Sequence, residues 1–291
     1  MKNLILNIYV LLAVMGSVGI VACADDEDTL YPDDVKACRF TFPQGDGEYD
    51  KKIEDFYEKH DCYIIYKDIT NGDINRAWLN TWNDVWYEVT PIDVQNIGFY
   101  YDFYDKNLFQ HFKEQHLRFL PMYLYILEEM TTEGNKLYFR TGGLDYLCIS
   151  GTEEELDENK RHIRQNLTWT LMSKLIALDS IRIPEEFTVG INYTRSVNTS
   201  DPKNSDYYIN RGFVGTINND FTGEGRLWEA DWTSQDDDFI RYLKSSIYYD
   251  EAGFLERYPP DVYPLVKKRY DLVTAYMKKE YGIDLKAIAA K

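Results

Sequence analysis

The sequence predicts an α+β fold, with short strands gathered in the first half of the chain and long helices in the second. Three observations carry that expectation. Runs rich in β-branched and aromatic residues, CYIIYKD (62–68), MYLYILEEM (122–130), KLYFRTGG (136–143) and LDYLCIS (144–150), read as strands. Residues 153–178 have helix length, and Leu167, Leu171, Met172, Leu175, Ile176 and Leu178 fall at the i, i+4, i+5 spacing of one buried face. Two more amphipathic helices follow, QDDDFIRYLKSSIYY (235–249) and DVYPLVKKRYDLVTAYMKKEYG (261–282). Strands first and helices later, without strict alternation, argue for α+β rather than a parallel α/β sheet.

The remaining elements fall into place between these. GEYDKKIEDFYEKH (47–60) sets Ile53, Phe56 and Tyr57 on one side of an amphipathic helix leading into the first strand. Asn71-Gly72 marks a turn. In WLNTWNDVWYEV (78–89), Trp78, Trp82 and Trp86 recur every four residues, so their indoles share a face on a helix or line a groove on loops. IGFYYDFYD (97–105) reads as an extended stretch before a helix over 106–119, which Pro121 closes. Turn chemistry at Glu133-Gly134-Asn135 and Gly142-Gly143 divides the next three strands. Residues 184–230 are polar and turn-rich, Gly282 suits the position just past a helix, and Asp284 suits the cap of a short terminal one.

The first residues, MKNLILNIYVLLAVMGSVGIVAC, combine Lys2, an apolar stretch from Leu4 to Val14 and small residues ending in a cysteine. This is the pattern of a lipoprotein signal peptide over 1–22, with Cys23 as the acyl-bearing residue. Cys23 is followed by ADDEDTLYPDD, too charged to bury, and residues 23–39 read as an acidic tether before a single domain over 40–291. On this reading the protein is lipid-anchored to a membrane and does not span it. The net charge of −17 and the lack of a basic cluster exclude nucleic acid as a partner. Cys38, Cys62 and Cys148 show no CxxC spacing, and the last two sit in apolar runs where buried thiols are expected.

Taken in order, YDKKIEDFYEKHDCYIIYKD, LRFLPMYLYIL, TGGLDYLCIS, the helix ending LMSKLIAL, YYINRGFVGTIN, QDDDFIRYL and VKKRYDLVTAYMKKEYGIDL resemble the zinc-binding metallopeptidase lipoproteins of Bacteroidetes. The resemblance spans nearly all of the chain beyond the signal peptide. It implies a zincin-like domain with a small mixed sheet and several packed helices. The acidic run behind Cys23 also resembles the export signal of surface lipoproteins in those bacteria, which implies a place on the outer face of the outer membrane. In that family the long helix carries HExxH, two histidines one turn apart on a zinc ion and a glutamate that activates water. Matching the apolar pair that ends the motif to Leu175-Ile176 places Thr170 and Lys174 at the histidines and Leu171 at the glutamate. Leucine is no base, and a lysine ammonium repels a divalent cation. The family's downstream acidic segment falls on Asp237-Asp238-Phe239-Ile240-Arg241, with arginine in place of the final acid. Asp236 to Asp238 after Ser234 suit the capped, acidic first turn of a helix better than a metal site.

Other chemistry has little support. The histidines are His60, His111, His116 and His162. HFKEQH sets Glu114 between His111 and His116, but residues i and i+5 lie about 140° apart on a helix and cannot chelate. His162, in ENKRHIRQ, is expected on the surface. No G-x-S-x-G elbow, P-loop or G-x-G-x-x-G occurs. The 25 tyrosines and 6 tryptophans suggest sugar stacking, with Trp78, Trp82, Trp86, Trp228 and Trp232 as the candidate platforms. The expectation is therefore a surface lipoprotein with a degenerate, non-catalytic metallopeptidase-like domain, holding neither zinc nor another cofactor. It would bind a peptide, protein or glycan at the cell envelope, with Asp237 and Asp238 as further candidate contacts. The alternatives are an active zinc metallopeptidase with a rearranged site and a glycan-binding accessory of a nutrient-uptake system.

Overall fold

A computed structural model describes residues 39–75, 86–142, 145–227 and 233–290. The signal peptide, Cys23, Cys38, Trp78, Trp82, Trp228 and Trp232 lie outside the described residues. The chain divides into two compact units, Met1–Thr41 and Phe42–Lys291, and every element below belongs to the second.

The fold is mixed α+β. The first part contains α1 (Glu48–His60), β1 (Tyr63–Ile65), α2 (Asn71–Ile74), β2 (Glu88–Pro91), α3 (Ile97–Asn107) and α4 (Glu114–Leu117). Next come β3 (Tyr123–Thr132), β4 (Asn135–Lys136), β5 (Phe139–Thr141) and β6 (Tyr146–Ser150). The long α5 (Glu153–Ala177) is followed by α6 (Glu185–Thr188), the hairpin β7 (Thr216–Ile217) and β8 (Glu224–Gly225), then α7 (Gln235–Tyr248), α8 (Glu251–Arg257), α9 (Pro264–Tyr276) and α10 (Leu285–Ala289).

The ten-residue β3 organises the main sheet, whose order is β1-β3-β6-β5. Its first half pairs in parallel with β1 on one side and β6 on the other, and its second half pairs antiparallel with β2 and β4. Tyr123 to Leu127 and all of β6 are buried without alternation, as expected of parallel strands covered on both faces. The edge strand β5 runs antiparallel to β6, setting Phe139 opposite Ile149 and Thr141 opposite Leu147.

The long helix starts where its sequence says it should. Thr152 accepts the Glu155 amide and Glu155 accepts the Thr152 amide, a capping box that satisfies two otherwise orphaned donors. Lys136 of β4 adds an ion pair to Glu155 at 2.6 Å, fixing the helix start to the sheet. Leu156, Ile163, Leu167, Leu171, Met172 and Leu175 then fill the core. Leu178 does not extend that face: it is the C-cap residue and 53% exposed.

Four local expectations need correction. The stretch 97–105 is helical, not extended: Ile97, Tyr100, Phe103, Tyr104 and Asn107 are buried at i, i+3, i+4 spacing, a period hidden by aromatics on both faces. The helix expected over 106–119 is broken, because Phe112 takes an extended conformation (φ −129°, ψ 151°) between a 3₁₀ turn at Phe109–His111 and α4. Asn71 and Gly72 open α2 behind a Thr70–Asp73 capping box and do not form a simple turn. The helix expected over 261–282 starts only at Pro264 and ends in a π turn over Met277–Tyr281. Gly282, at φ +75°, follows it as expected, and the Asp284 side chain caps α10.

Candidate functional site

The C-terminal half of α5 presents two adjacent stripes. Leu167, Leu171 and Leu175 face the core, while Asn166, Thr170, Ser173, Lys174 and Ala177, spaced by three and four residues, line a cavity of about 500 Å³. Phe119 and Pro121, just before β3, Phe139 and Thr141 of the edge strand, and Asn219 of the β7–β8 turn complete the lining with Trp169. The structure thus brings Thr170, Leu171 and Lys174 together at one cavity.

Most polar groups of the helix stripe are turned back on the backbone. The Thr170 hydroxyl donates to the Asn166 carbonyl at 2.9 Å, and the Ser173 hydroxyl donates to the Thr170 carbonyl at 3.0 Å. The Asn166 amide donates to the His162 carbonyl at 2.9 Å and to the Asp220 carbonyl at 3.3 Å. Lys174 differs. Among the described residues its side chain makes no hydrogen bond or ion pair, and burial holds its pKa below the ordinary lysine value, opposed by the Cys62 thiol. Cys62 itself is fully buried, and burial pushes its pKa far up.

A second lysine stands behind the wall. Lys244 of α7 donates to Asn219 Oδ1 at 2.8 Å and to the Ile217 carbonyl at 3.3 Å. Its Nζ lies 5.0 Å from the centre of a Trp169 ring, a cation–π distance. Burial lowers its pKa as well, with the Asp220 carboxylate working against that shift.

The donor set does not fit zinc. A catalytic zinc needs about three nitrogen, sulfur or carboxylate ligands and an open position. The motif positions offer a threonine hydroxyl already spent on the helix, a leucine and a lysine. Asp237 and Asp238 do not line this cavity. Asp237 belongs to the α7 cap, where its amide donates to Ser234 Oγ at 3.0 Å and its carboxylate accepts the same hydroxyl. Asp238 is completely buried, ion-paired with Arg269 and hydrogen-bonded by the Tyr193 hydroxyl at 2.8 Å. Among the described residues, no three His, Cys, Asp or Glu side chains gather around a common point. His111 and His116 fall on separate short turns, Trp86 is 55% exposed away from the cavity, and Cys148 is a buried free thiol.

The sequence reading did not single out Trp169, Asn166 or Asn219. A signal existed for the first two, since both sit on α5 beside its apolar stripe, where an aromatic ring and an amide mark a second face. Asn219 had none, because only the hairpin brings it to the helix.

No protein-family model and no curated protein matches this sequence. Among solved structures, the chain is similar to one described as a "putative zinc-binding metallo-peptidase" from Bacteroides caccae ATCC 43185. The two share 10% identity at a TM-score of 0.43, over 84% of this chain and 92% of that one.

Proposed function

We propose that this protein is a lipid-anchored surface protein whose metallopeptidase-like domain binds a ligand and does not cleave one. The observation that carries the reading is the cavity beside α5, where the motif positions present Thr170, Leu171 and Lys174. Hydrolysis of a peptide needs an activated water, supplied by a metal or by a positioned base. Among the described residues, no imidazole or carboxylate lines this cavity. The purified protein is expected to contain far less than one zinc per chain by elemental mass spectrometry and to show no chelator-sensitive cleavage of a peptide library. Stoichiometric zinc together with such cleavage overturns the reading in favour of a rearranged peptidase site.

The surface location rests on the residues before the domain, the apolar segment ending at Cys23 and the acids from Asp25 to Asp28. No helix among the described residues is long and apolar enough to cross a membrane. Cys23→Ala is expected to release the protein from the membrane fraction or to stall its processing, measured by detergent partitioning. An unchanged membrane fraction in that variant removes the lipid anchor from the proposal.

A further inference from the structure

We propose that the cavity is a carboxylate site, in which the Lys174 ammonium pairs with an organic acid whose apolar body lies among Trp169, Phe119 and Phe139. The inference rests on reading the cavity as a binding site and names the ligand chemistry it takes.

Charge sets the first constraint. The chain carries 49 acidic against 32 basic residues, yet among the described residues no acid lines this cavity and Lys174 is its one charged lining residue. Here the ammonium keeps all three donors free among the described residues and sits where burial already disfavours its charge. A ligand anion arriving at Lys174 relieves that cost. Lys244, a second cation 5.0 Å from the Trp169 ring, adds to the positive field behind the wall, partly offset by Asp220.

The neighbouring polar groups fit the same ligand. Asn219 lines the cavity, and because its Oδ1 accepts from Lys244, its Nδ2 group, without a partner among the described residues, is left as a donor. A carboxylate accepts from both an ammonium and an amide, and its charge makes the ammonium contact stronger than the one a neutral amide carbonyl makes, while a cation gains nothing from either. Phe119, Pro121, Phe139, Trp169, Leu171 and Ala177 give the lining its apolar part, and 500 Å³ is the scale of a small-molecule site and not of a folded partner. The carboxylate comes either from a free aromatic acid or from the C-terminus of a peptide.

The probes are 3-phenylpropionate for the first source and N-acetyl-alanyl-phenylalanine for the second, each beside its neutral amide, titrated against the full folded domain by calorimetry and Trp fluorescence. At least one acid is expected to bind, with its amide weaker by about tenfold or more. Lys174→Gln is expected to abolish that difference, and Lys174→Arg to retain part of it. Asn219→Asp, which sets a negative charge at the donor position, is expected to weaken the acid selectively. Thermal melts of each variant show that the fold is kept. Binding of both acids shows that the site reads only the carboxylate and its ring, and binding of one alone identifies the source. Equal affinity for acid and amide, no binding of either acid at millimolar concentration, or an unchanged titration in Lys174→Gln overturns the proposal. The metal and cleavage assays above are independent of these titrations, so a failed carboxylate site and a failed non-catalytic reading give different results.

Discussion

Arg269→Met is expected to cost about 3–5 kcal/mol of stability, because it leaves the Asp238 carboxylate buried without its counter-charge. For a domain of this size the melting midpoint should fall by about 6–20 °C. Asp238 lies in the first turn of α7 and Arg269 on α9, and the side chains are 0% and 4% exposed, so water cannot replace either partner. The guanidinium also donates to the Gly212 carbonyl at 2.6 Å and to the Tyr193 hydroxyl at 3.1 Å, with its carbon 3.8 Å from the centre of the Phe187 ring. Burial nevertheless pushes the Asp238 carboxyl up from its ordinary pKa, while Arg269 and Tyr193 pull it down, so attraction does not fully offset desolvation. This imbalance separates the single variant from the double one. Asp238→Leu with Arg269→Met removes both charges and should recover a large part of the loss. A single variant that melts within about 1 °C of wild type contradicts this account of how α7 is held to α9.

The same pair shows what the sequence could convey about the site. An acid in QDDDFIRYL reads as a cap, a ligand or an ion-pair partner, and the choice depends on Arg269, 31 residues away. Thr170, Leu171 and Lys174 were legible only through the register of the family motif they resemble, and helical spacing then sets them on neighbouring faces of α5. Their cavity was not, since its other wall comes from the segment before β3, the edge strand and the β7–β8 hairpin. Local pattern fixes which face a residue occupies, and tertiary structure decides what stands opposite.

For the fold, the long helices and the strands around β3 followed their patterns, because α5 has a clear apolar stripe and β3 and β6 are continuous buried runs. The errors fell where the period was masked. IGFYYDFYD contains so many large rings that its buried set and its exposed set look alike, and strand propensity then outweighed the helical spacing. In 106–119 the charges and apolar residues allow a continuous helix, yet Leu108 and Phe112 leave helical geometry and both bury in the core. That break also places His116 inside, at 6% exposure.

Burial of the histidines leads to a second expected result, loss of stability on mild acidification. His60, His111, His116 and His162 all have pKa values below the ordinary 6.5, each because burial disfavours the charged ring. His60 Nδ1, His116 Nδ1 and His111 Nε2 have no hydrogen-bond partner among the described residues, so a proton added there meets no acceptor. Nearby carboxylates soften the effect without reversing it: Glu114 acts on His60, Asp284 on His111 and Asp220 on His162. The folded protein therefore binds these protons less readily than the unfolded chain. The stability they contribute is complete above about pH 6.5 and declines as pH falls through it, by about 1.4 kcal/mol per pH unit for each histidine charged only when unfolded. Asp238, with its pKa raised, works in the opposite direction and cannot produce the loss. Urea midpoints at about pH 7.5 and pH 5.5, both above the ordinary carboxylate range, measure the decline. Combining His60→Gln with His116→Gln should flatten it, because glutamine does not titrate, even if the variant starts from a lower midpoint. Equal wild-type midpoints at the two pH values, or an undiminished slope in the double variant, show that these rings do not carry the acid sensitivity of the fold.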